Sequence, residues 1–234
     1  MIKPSKQLLL AYEEVLKEKK KKVAVFSYGR LNPPTIGHEK LINKIIEVAK
    51  EKGGDAYLFV SHKQNNKTDP LFLEEKLEII KQFLAFQKND IKIGNFEFKK
   101  INGKLEFPLI TKNVLRSLYI ANYTDVYFIV GDDRIKGMQF VKDYNNKPSS
   151  KNNGQILYNF NTIELICAGK RDFSSTGIDG MKAGKLRQFA IDNNFNEFKK
   201  GIPKNVNIED IKNIFLKIRK NIFLKIRKRL GASK

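Results

Sequence analysis

Apolar and polar residues follow two patterns that alternate along this chain. Continuous apolar runs bounded by turn residues predict strands buried on both faces, and they occupy residues 22–29, 55–62, 91–98, 125–133 and 161–170. Between these runs, apolar residues recur at intervals of three and four, which predicts helices over residues 37–54, 71–87, 111–124, 135–144 and from about Lys182 onward. This alternation indicates an α/β fold built on a parallel sheet with helices on both faces. Ligands of such sheets bind beyond the carboxyl ends of the strands.

The first 22 residues lie outside this alternation. From Ser5 onward, apolar residues again recur at helical intervals, and the segment ends in a run of lysines. We therefore expect an N-terminal helical extension over residues 1–22, followed by a central domain over residues 23–203.

The tail, residues 204–234, contains one octapeptide twice, NIFLKIRK at 213–220 and again at 221–228. Eight residues turn a helix through roughly 800°, so the second copy is rotated by about 80° and cannot repeat the packing of the first. Isoleucines at every fourth position favour one long basic amphipathic helix, which would dock on a partner, on RNA or on an anionic membrane surface. The alternative is a recent duplication, tolerated because it lengthens an exposed terminal helix. In both cases we expect a C-terminal basic helical extension.

Lysine and arginine outnumber aspartate and glutamate by 45 to 25, which gives a formal net charge of +20. Such an excess attracts phosphate-rich partners and allows contact with nucleic acid through the basic termini. The chain is also rich in Lys, Asn, Ile and Phe, the residues that A/T-rich codons encode, so base composition explains the charge equally well. Charge alone therefore does not identify a nucleic-acid-binding protein.

Cysteine content and the length of the apolar runs bear on the cellular compartment. A single cysteine, Cys167, sits in an apolar run, which excludes an intrachain disulfide and predicts a small buried side chain. No apolar run approaches the roughly 20 residues of a membrane-spanning helix. The first residues do not follow the pattern of a signal peptide. We expect a cytoplasmic protein, in the host cytoplasm if the chain is viral.

The stretch YGRLNPPTIGHEKLI, residues 28–42, joins the first predicted strand to the first long helix. Its loop therefore falls at the carboxyl edge of the sheet. Gly37 lets the backbone approach a ligand closely, and the amides at the start of the helix favour an anion. His38, on the first turn, can donate to phosphate oxygens, and nucleotidyl transfer depends mainly on such positioning and charge stabilisation. The stretch predicts a phosphate site.

Within this stretch, GRLNPPTIGH resembles the signature of the HIGH-motif nucleotidyltransferases, in particular a phage-type cytidylyltransferase-like (adenylyltransferase-like) branch. The resemblance implies a Rossmann-like, HIGH-type nucleotidyltransferase fold. It also implies Mg²⁺-dependent transfer of a nucleoside monophosphate from a nucleoside triphosphate, ATP or CTP, to a phosphate-bearing small-molecule acceptor, with release of pyrophosphate. Thr35 takes the first histidine position of the motif. His38 takes the second, which by resemblance contacts the triphosphate and stabilises the transferring phosphate.

Two further segments match this superfamily. VSHKQNNKTDPLFLEEKLEII, residues 60–80, resembles its Ser-His loop and its Asn-Pro-Leu helix start, with Asp69 in place of Asn. VGDDR, residues 130–134, resembles the Gly-x-Asp element that borders the nucleotide pocket, where Asp133 would accept hydrogen bonds. The resemblance therefore extends over most of the central domain.

The second signature of the superfamily, Ile-Ser-Ser-Thr-x-x-Arg, has two candidate matches. FSSTGID, residues 173–179, has the hydroxyls but carries an aspartate where arginine belongs. MKAGKLR, residues 181–187, places Arg187 at the right spacing and is the match that we prefer, although Lys182 and Gly184 replace Ser and Thr. The lysines of this segment can substitute for the hydroxyls as cations. Alternatively, the replacement means that activity has been weakened or lost.

Our leading hypothesis is a nucleotidyltransferase whose triphosphate lies among residues of both motifs. We expect catalytic roles for His38, Thr35 and Arg187. Nucleotide or phosphate binding is expected of Gly29, Arg30, Asn32, Gly37, Lys44, Gly131, Asp133, Arg134, Lys182 and Lys185, with Lys40 as a further auxiliary cation. No residue is assigned as a ligand of the metal. The alternative is a catalytically degenerate member that acts as a basic nucleic-acid-binding or virion-associated protein.

Overall fold

The computed structural model describes residues 21–65, 68–84, 90–94, 100–101, 104–105, 110–148, 154–169 and 181–231. The strands are β1 (Val23–Gly29), β2 (Asp55–Val60), β3 (Lys92–Ile93), β4 (Lys100–Ile101), β5 (Lys104–Leu105), β6 (Asp125–Val130) and β7 (Thr162–Cys167). The α-helices are α1 (Ile36–Lys52), α2 (Leu73–Phe83), α3 (Thr111–Ile120), α4 (Ile135–Met138), α5 (Phe140–Asp143), α6 (Ala183–Ile191), α7 (Phe195–Lys200) and α8 (Ile208–Gly231). A 3₁₀ turn covers Asp132–Arg134.

Five strands form one parallel sheet in the order β3-β2-β1-β6-β7, and β4 pairs separately with β5. In the central strand, Ala24 lies opposite Asp55 of β2 and Val126 of β6. After β1 the chain builds outward through β2 and β3, and it then returns to the other side of β1 to form β6 and β7. The strand order therefore reverses between β1 and β6, where α/β sheets open a ligand crevice beyond the strand ends. The predicted α/β fold with a parallel sheet is confirmed.

Alternate residues of β1 face opposite sides of the sheet, and both sides are buried. On one side, Val25 lies in an apolar cluster with Ile42 of α1. On the other side, Phe26 lies in a cluster with Leu115 of α3, and its ring stacks on Phe128 with 4.6 Å between the centroids. A strand buried on both faces needs apolar side chains at successive positions, which explains the run VAVF at its start.

A third apolar cluster joins the C-terminal helices to α2. Leu186 of α6, Phe198 of α7 and Ile218 of α8 are fully buried in it, together with Ile79 of α2. The isoleucine stripe of the tail therefore packs on the core of its own domain as far as Ile222. The first half of the expected C-terminal extension is thus part of the packing of the domain.

The two copies of the octapeptide have different surroundings. Phe215 of the first copy is buried, whereas its counterpart Phe223 is 40% exposed. Asn213 is exposed, whereas its counterpart Asn221 is buried, and the Asn221 amide donates to Glu75 at 2.8 Å. These differences confirm the prediction that the second copy cannot repeat the packing of the first.

Several elements differ in extent from the prediction. The helix predicted to reach residue 124 ends at Ile120, because Asn122 adopts a left-handed conformation with φ of 61° and turns the chain toward β6. The helix predicted over 135–144 is divided into α4 and α5. The strand predicted over 91–98 is confirmed only at Lys92–Ile93, since Gly94 follows it without strand structure and residues 95–98 are outside the described ranges. Nearly all of the predicted N-terminal helix is also outside the described ranges. Within the described part of the chain, no helix is long and apolar enough to span a membrane.

Candidate active site

A cavity of about 310 Å³ opens at the carboxyl ends of β1 and β6, where the strand order reverses. Four separate segments form its walls: the end of β1 with the following loop, the loop before α2, the end of β6 with the 3₁₀ turn, and the start of α6. The predicted site residues that line the cavity are Gly29, Arg30, Asn32, Thr35, His38, Gly131, Asp133, Arg134, Lys182 and Arg187.

Thr35 holds the imidazole of His38 at the start of α1. The main-chain N–H of Thr35 donates to Nδ1 of His38 at 3.0 Å, and Thr35 Oγ1 lies 2.9 Å from the same nitrogen. A main-chain N–H can only donate, so Nδ1 must be the unprotonated nitrogen of the ring. The neutral imidazole therefore carries its proton on Nε2, which makes this atom a hydrogen-bond donor.

The amides at the start of α1 are less available to a ligand than the sequence suggested. The N–H of Ile36 donates to the carbonyl of Gly201 at 2.9 Å, because the end of α7 packs at this point. The N–H groups of His38 and Glu39 both donate to the carbonyl of Thr35. Three of the amides at this end of α1, those of Ile36, His38 and Glu39, are thus already engaged within the protein.

Asn32 ties the loop before α1 to the loop before α2. Its side-chain amide donates to the carbonyl of Leu71 at 3.0 Å and accepts from the N–H of Leu71 at 3.0 Å. Both residues are buried. The Asn32 side chain, which the sequence placed on the phosphate, is thus engaged in holding two loops together.

Arg187 joins α6 to the same loop. Its Nη1 donates to the main-chain carbonyl of Asn32 at 2.5 Å. Burial lowers the pKa of the Arg187 guanidinium, while the carboxylate of Asp69 acts in the opposite direction and the charge of Arg30 lowers the pKa further. Arginine nevertheless remains a cation at neutral pH. Lys182, at the start of α6, also lines the cavity, so the preferred second motif reaches the site.

The competing match for the second motif, residues 173–179, is outside the described residues. At the end of β6, Asp133 and Arg134 lie in the 3₁₀ turn, where both side chains are exposed on the cavity wall. The N–H of Arg134 donates to the carbonyl of Gly131 at 2.9 Å, which closes the turn. Charges of both signs therefore border the opening of the cavity.

Four predicted positions do not line the cavity: Gly37, Lys40, Lys44 and Lys185. The ammonium of Lys44 pairs with Glu47 at 2.6 Å. Six residues separate Lys44 from His38, which turns the helix through about 600° and directs the two side chains to different faces. The prediction that Lys44 contacts phosphate gains no support from this position.

Two buried charged residues were missed as site candidates. Asp69 lines the cavity and is fully buried in the loop before α2. Lys76 of α2 is fully buried, and its Nζ donates to the main-chain carbonyl of Ser61. The same Nζ lies 3.4 Å from the main-chain carbonyl oxygen of Lys63. Burial lowers the pKa of Lys76 to about 8. A signal for Lys76 existed, because it lies three residues before Ile79 on the apolar face of the helix.

Comparison with known proteins extends this description. The family model for cytidylyltransferase-like proteins matches residues 26–178, which is more than half of the chain. The chain belongs to the cytidylyltransferase-like family. This membership confirms the resemblance to HIGH-motif nucleotidyltransferases and the predicted class of enzyme, one that transfers nucleotides.

The chain is also similar to a probable nicotinate-nucleotide adenylyltransferase of Acholeplasma laidlawii, with 27% identity over 187 residues, or 76% of this chain and 85% of that protein. Two structures of nicotinic acid mononucleotide adenylyltransferase from Plasmodium falciparum share its fold. The structure complexed with NaAD matches with a TM-score of 0.54, and the structure complexed with APC matches with a TM-score of 0.52. Both are 18% identical and cover 83% of this chain and 97% of their own. At this identity the matches establish the shared fold alone.

Proposed function

We propose that this protein transfers an adenylyl group from ATP to the phosphate of a pyridine mononucleotide, with release of pyrophosphate. The observation that carries the proposal is the fixed Nε2–H donor of His38, which shares one cavity with Arg30 and Arg187. The choice of ATP and of a pyridine mononucleotide is supported by the named activity of the Acholeplasma relative.

The reaction requires the protein to orient the two substrates and to stabilise negative charge. An oxygen of the acceptor phosphate forms a bond to the α-phosphorus of ATP, and the bond from that phosphorus to the oxygen bridging to the β-phosphate breaks. The electron pair of the broken bond leaves with pyrophosphate. The attacking phosphate oxygen is already ionised, so the protein needs no general base and contributes by orienting the groups and stabilising the developing charge.

The cavity supplies donors for both parts of this transition state. His38 Nε2–H is assigned to the transferring phosphate, because its orientation is fixed by Thr35 before any ligand binds. Arg187 and Lys182, from the start of α6, are assigned to the departing pyrophosphate together with Arg30. Donors that are held in place in advance cost little reorganisation during the reaction, which is the main source of rate enhancement in such sites.

Mg²⁺ belongs to the proposal as a companion of the triphosphate. Among the described residues, no group of three or more His, Cys, Asp or Glu side chains could hold a metal by itself. Mg²⁺ commonly binds through substrate phosphates and water with only one or two carboxylates, so a single carboxylate of the protein would suffice. Asp133, exposed on the cavity wall, is the carboxylate that would assist. When bound, the ion neutralises charge on the phosphates.

The alternative of a nucleic-acid-binding protein loses one of its arguments. The isoleucine stripe of the basic tail, which the sequence offered to a partner, is buried in the domain's own core as far as Ile222. The cavity, in contrast, gathers residues of both motifs.

The test measures pyrophosphate release with MgCl₂, with ATP or CTP, and with nicotinate mononucleotide or nicotinamide mononucleotide as acceptor. Two variants separate the hydrogen bond that His38 accepts at Nδ1 from the hydrogen bond that it donates at Nε2. His38→Asn keeps an oxygen near the position of Nδ1 to accept from Thr35, whereas His38→Gln reaches toward the position of Nε2 with an amide donor. We expect His38→Asn to fold normally and to lose about 10² to 10³ of the rate, as loss of one such donor commonly does. His38→Gln should recover part of that loss.

The result would contradict the proposal if folded His38→Asn kept more than a third of the wild-type rate. If pyrophosphate were released with CTP but not with ATP, the assignment of ATP would be refuted. If neither pyridine mononucleotide supported release, the assignment of the acceptor would be refuted. Both outcomes would leave the transferase class intact.

A further inference from the structure

Asp69 places a negative charge in the wall of a cavity assigned to a polyphosphate. Its side chain is only 1% exposed. Oδ2 accepts from Thr68 Oγ1 at 2.7 Å and from Asn65 Nδ2 at 2.9 Å, and it lies 3.5 Å from Nη1 of Arg30. Oδ1 is buried, and no donor of the described residues lies within hydrogen-bond distance of it. The carboxylate is therefore held rigidly and is only partly compensated.

Two arginines carry charge near this carboxylate, Arg30 from the loop after β1 and Arg187 from α6. Arg30 follows β1 and remains 48% exposed, so its side chain is free to reorient. Arg187 is half-buried and anchored to the carbonyl of Asn32. Asp69 attracts both guanidinium groups, and the two groups repel each other. The negative charge of Asp69 thus offsets part of the positive charge that Arg30 and Arg187 present to a polyphosphate.

A polyphosphate that enters the cavity needs the same Arg30 guanidinium that Asp69 holds. The ion pair is not the closest possible, since 3.5 Å exceeds the 2.7 to 2.9 Å of a direct charge-assisted hydrogen bond. A phosphate with several oxygens can therefore draw Arg30 away, while Asp69 stays in place through Thr68 and Asn65.

We propose that Asp69 is a positioning residue that acts as a tethered competing anion, holding Arg30 when the site is empty and opposing the binding of pyrophosphate. The inference rests on the proposed function for the identity of the ligand. A site built this way binds its polyphosphate less tightly than its cations alone would, and it recovers Arg30 when pyrophosphate leaves.

The test is calorimetric titration of the full chain with inorganic pyrophosphate, without acceptor or turnover. Asp69→Asn removes the charge while keeping an oxygen that accepts from Thr68. We expect Asp69→Asn to bind pyrophosphate about five- to tenfold more tightly, since a negative charge in the cavity wall opposes an anionic ligand. Unchanged or weaker binding would overturn the proposal. Because no catalysis is involved, this result is independent of whether adenylyl transfer is observed.

A double-mutant cycle with Arg30→Gln distinguishes competition for Arg30 from simple repulsion. If Asp69 acts by competing for Arg30, at least half of the gain from Asp69→Asn should disappear in the Arg30→Gln background. An equal gain in pyrophosphate affinity from Asp69→Asn in both backgrounds would show that Asp69 does not compete for Arg30.

A single variant covers the case in which Asp69→Asn fails to fold. An arginine already held by an anion contributes less to ligand binding, so Arg30→Gln alone should weaken pyrophosphate binding by less than about tenfold. A hydrogen bond from a fully available arginine to an anion is commonly worth about 1.5 to 3 kcal/mol, which is more than tenfold in affinity. A larger loss would overturn the proposal.

Discussion

Replacing Asn32 by alanine tests whether one buried amide holds the site together. The amide makes two hydrogen bonds of 3.0 Å to the main chain of Leu71, and both residues are at most 1% exposed. Asn32→Ala would leave the N–H and the carbonyl of Leu71 buried without these partners. Each unpaired buried group costs about 1 to 3 kcal/mol. For the two groups together we therefore expect the free energy of unfolding to fall by about 2 to 6 kcal/mol, a large part of the usual 5 to 15 kcal/mol.

The assay is urea unfolding followed by circular dichroism, with pyrophosphate release measured where the variant is still folded. Activity should fall further than the folded fraction, because Arg187 is anchored on the carbonyl of the same residue. Asn213→Ala is the matched control, since Asn213 is exposed on α8 and should change stability by less than about 0.5 kcal/mol. A loss below about 1 kcal/mol for Asn32→Ala would refute the assignment of this amide as the connection between the two loops.

Two further predictions concern Lys76 and the duplicated phenylalanines. The pKa of Lys76 is lowered from 10.5 to about 8, so above pH 8 the unfolded chain binds more protons than the folded one and stability rises with pH up to about 10.5. Relative to Lys76→Met, which does not titrate, the wild type should gain about 2 to 3 kcal/mol of unfolding free energy across this range, and parallel pH profiles would contradict the reasoning. Phe215→Ala should destabilise the protein by about 3 to 5 kcal/mol because Phe215 is buried, whereas Phe223→Ala at the exposed equivalent should cost less than about 1 kcal/mol. Equal losses in thermal or urea unfolding would show that the two copies do not differ in packing.

The sheet and its main helices could be predicted because their signals are local. The apolar runs that became β1, β2 and β6 record burial on two faces, and that burial is a property of neighbouring residues. The run of β7 predicted a strand correctly but not its burial, because β7 lies at the edge of the sheet and its residues are only partly buried or exposed. The position of the loop after β1 followed from the parallel sheet, since every such loop falls at the carboxyl edge. The motif also placed His38 at this edge, because it is a single short stretch, and His38 does line the cavity.

The connections within the site could not be predicted because they join residues far apart in the sequence. The bonds between Asn32 and Leu71 span 39 residues, and the bond from Arg187 to Asn32 spans 155. A motif assigns such residues to a phosphate because they are polar and close to the site. Only the folded chain shows that the Asn32 amide is already engaged with the backbone and that Asp69 stands beside two arginines.

The identity of the two octapeptides shows which contacts of α8 depend on having both copies. Because the copies are the same, removing either one yields the same chain, in which residues 213–220 keep their neighbours on the core side of the helix. In the described part of α8, the shorter chain would differ only from position 221 onward, where Arg-Leu-Gly would replace Asn221, Ile222 and Phe223. In the chain with both copies, Ile222 is buried and the amide of Asn221 donates to Glu75 of α2. The second copy therefore attaches the terminal helix to the domain through Asn221 and Ile222, two residues that a chain with one copy would not contain.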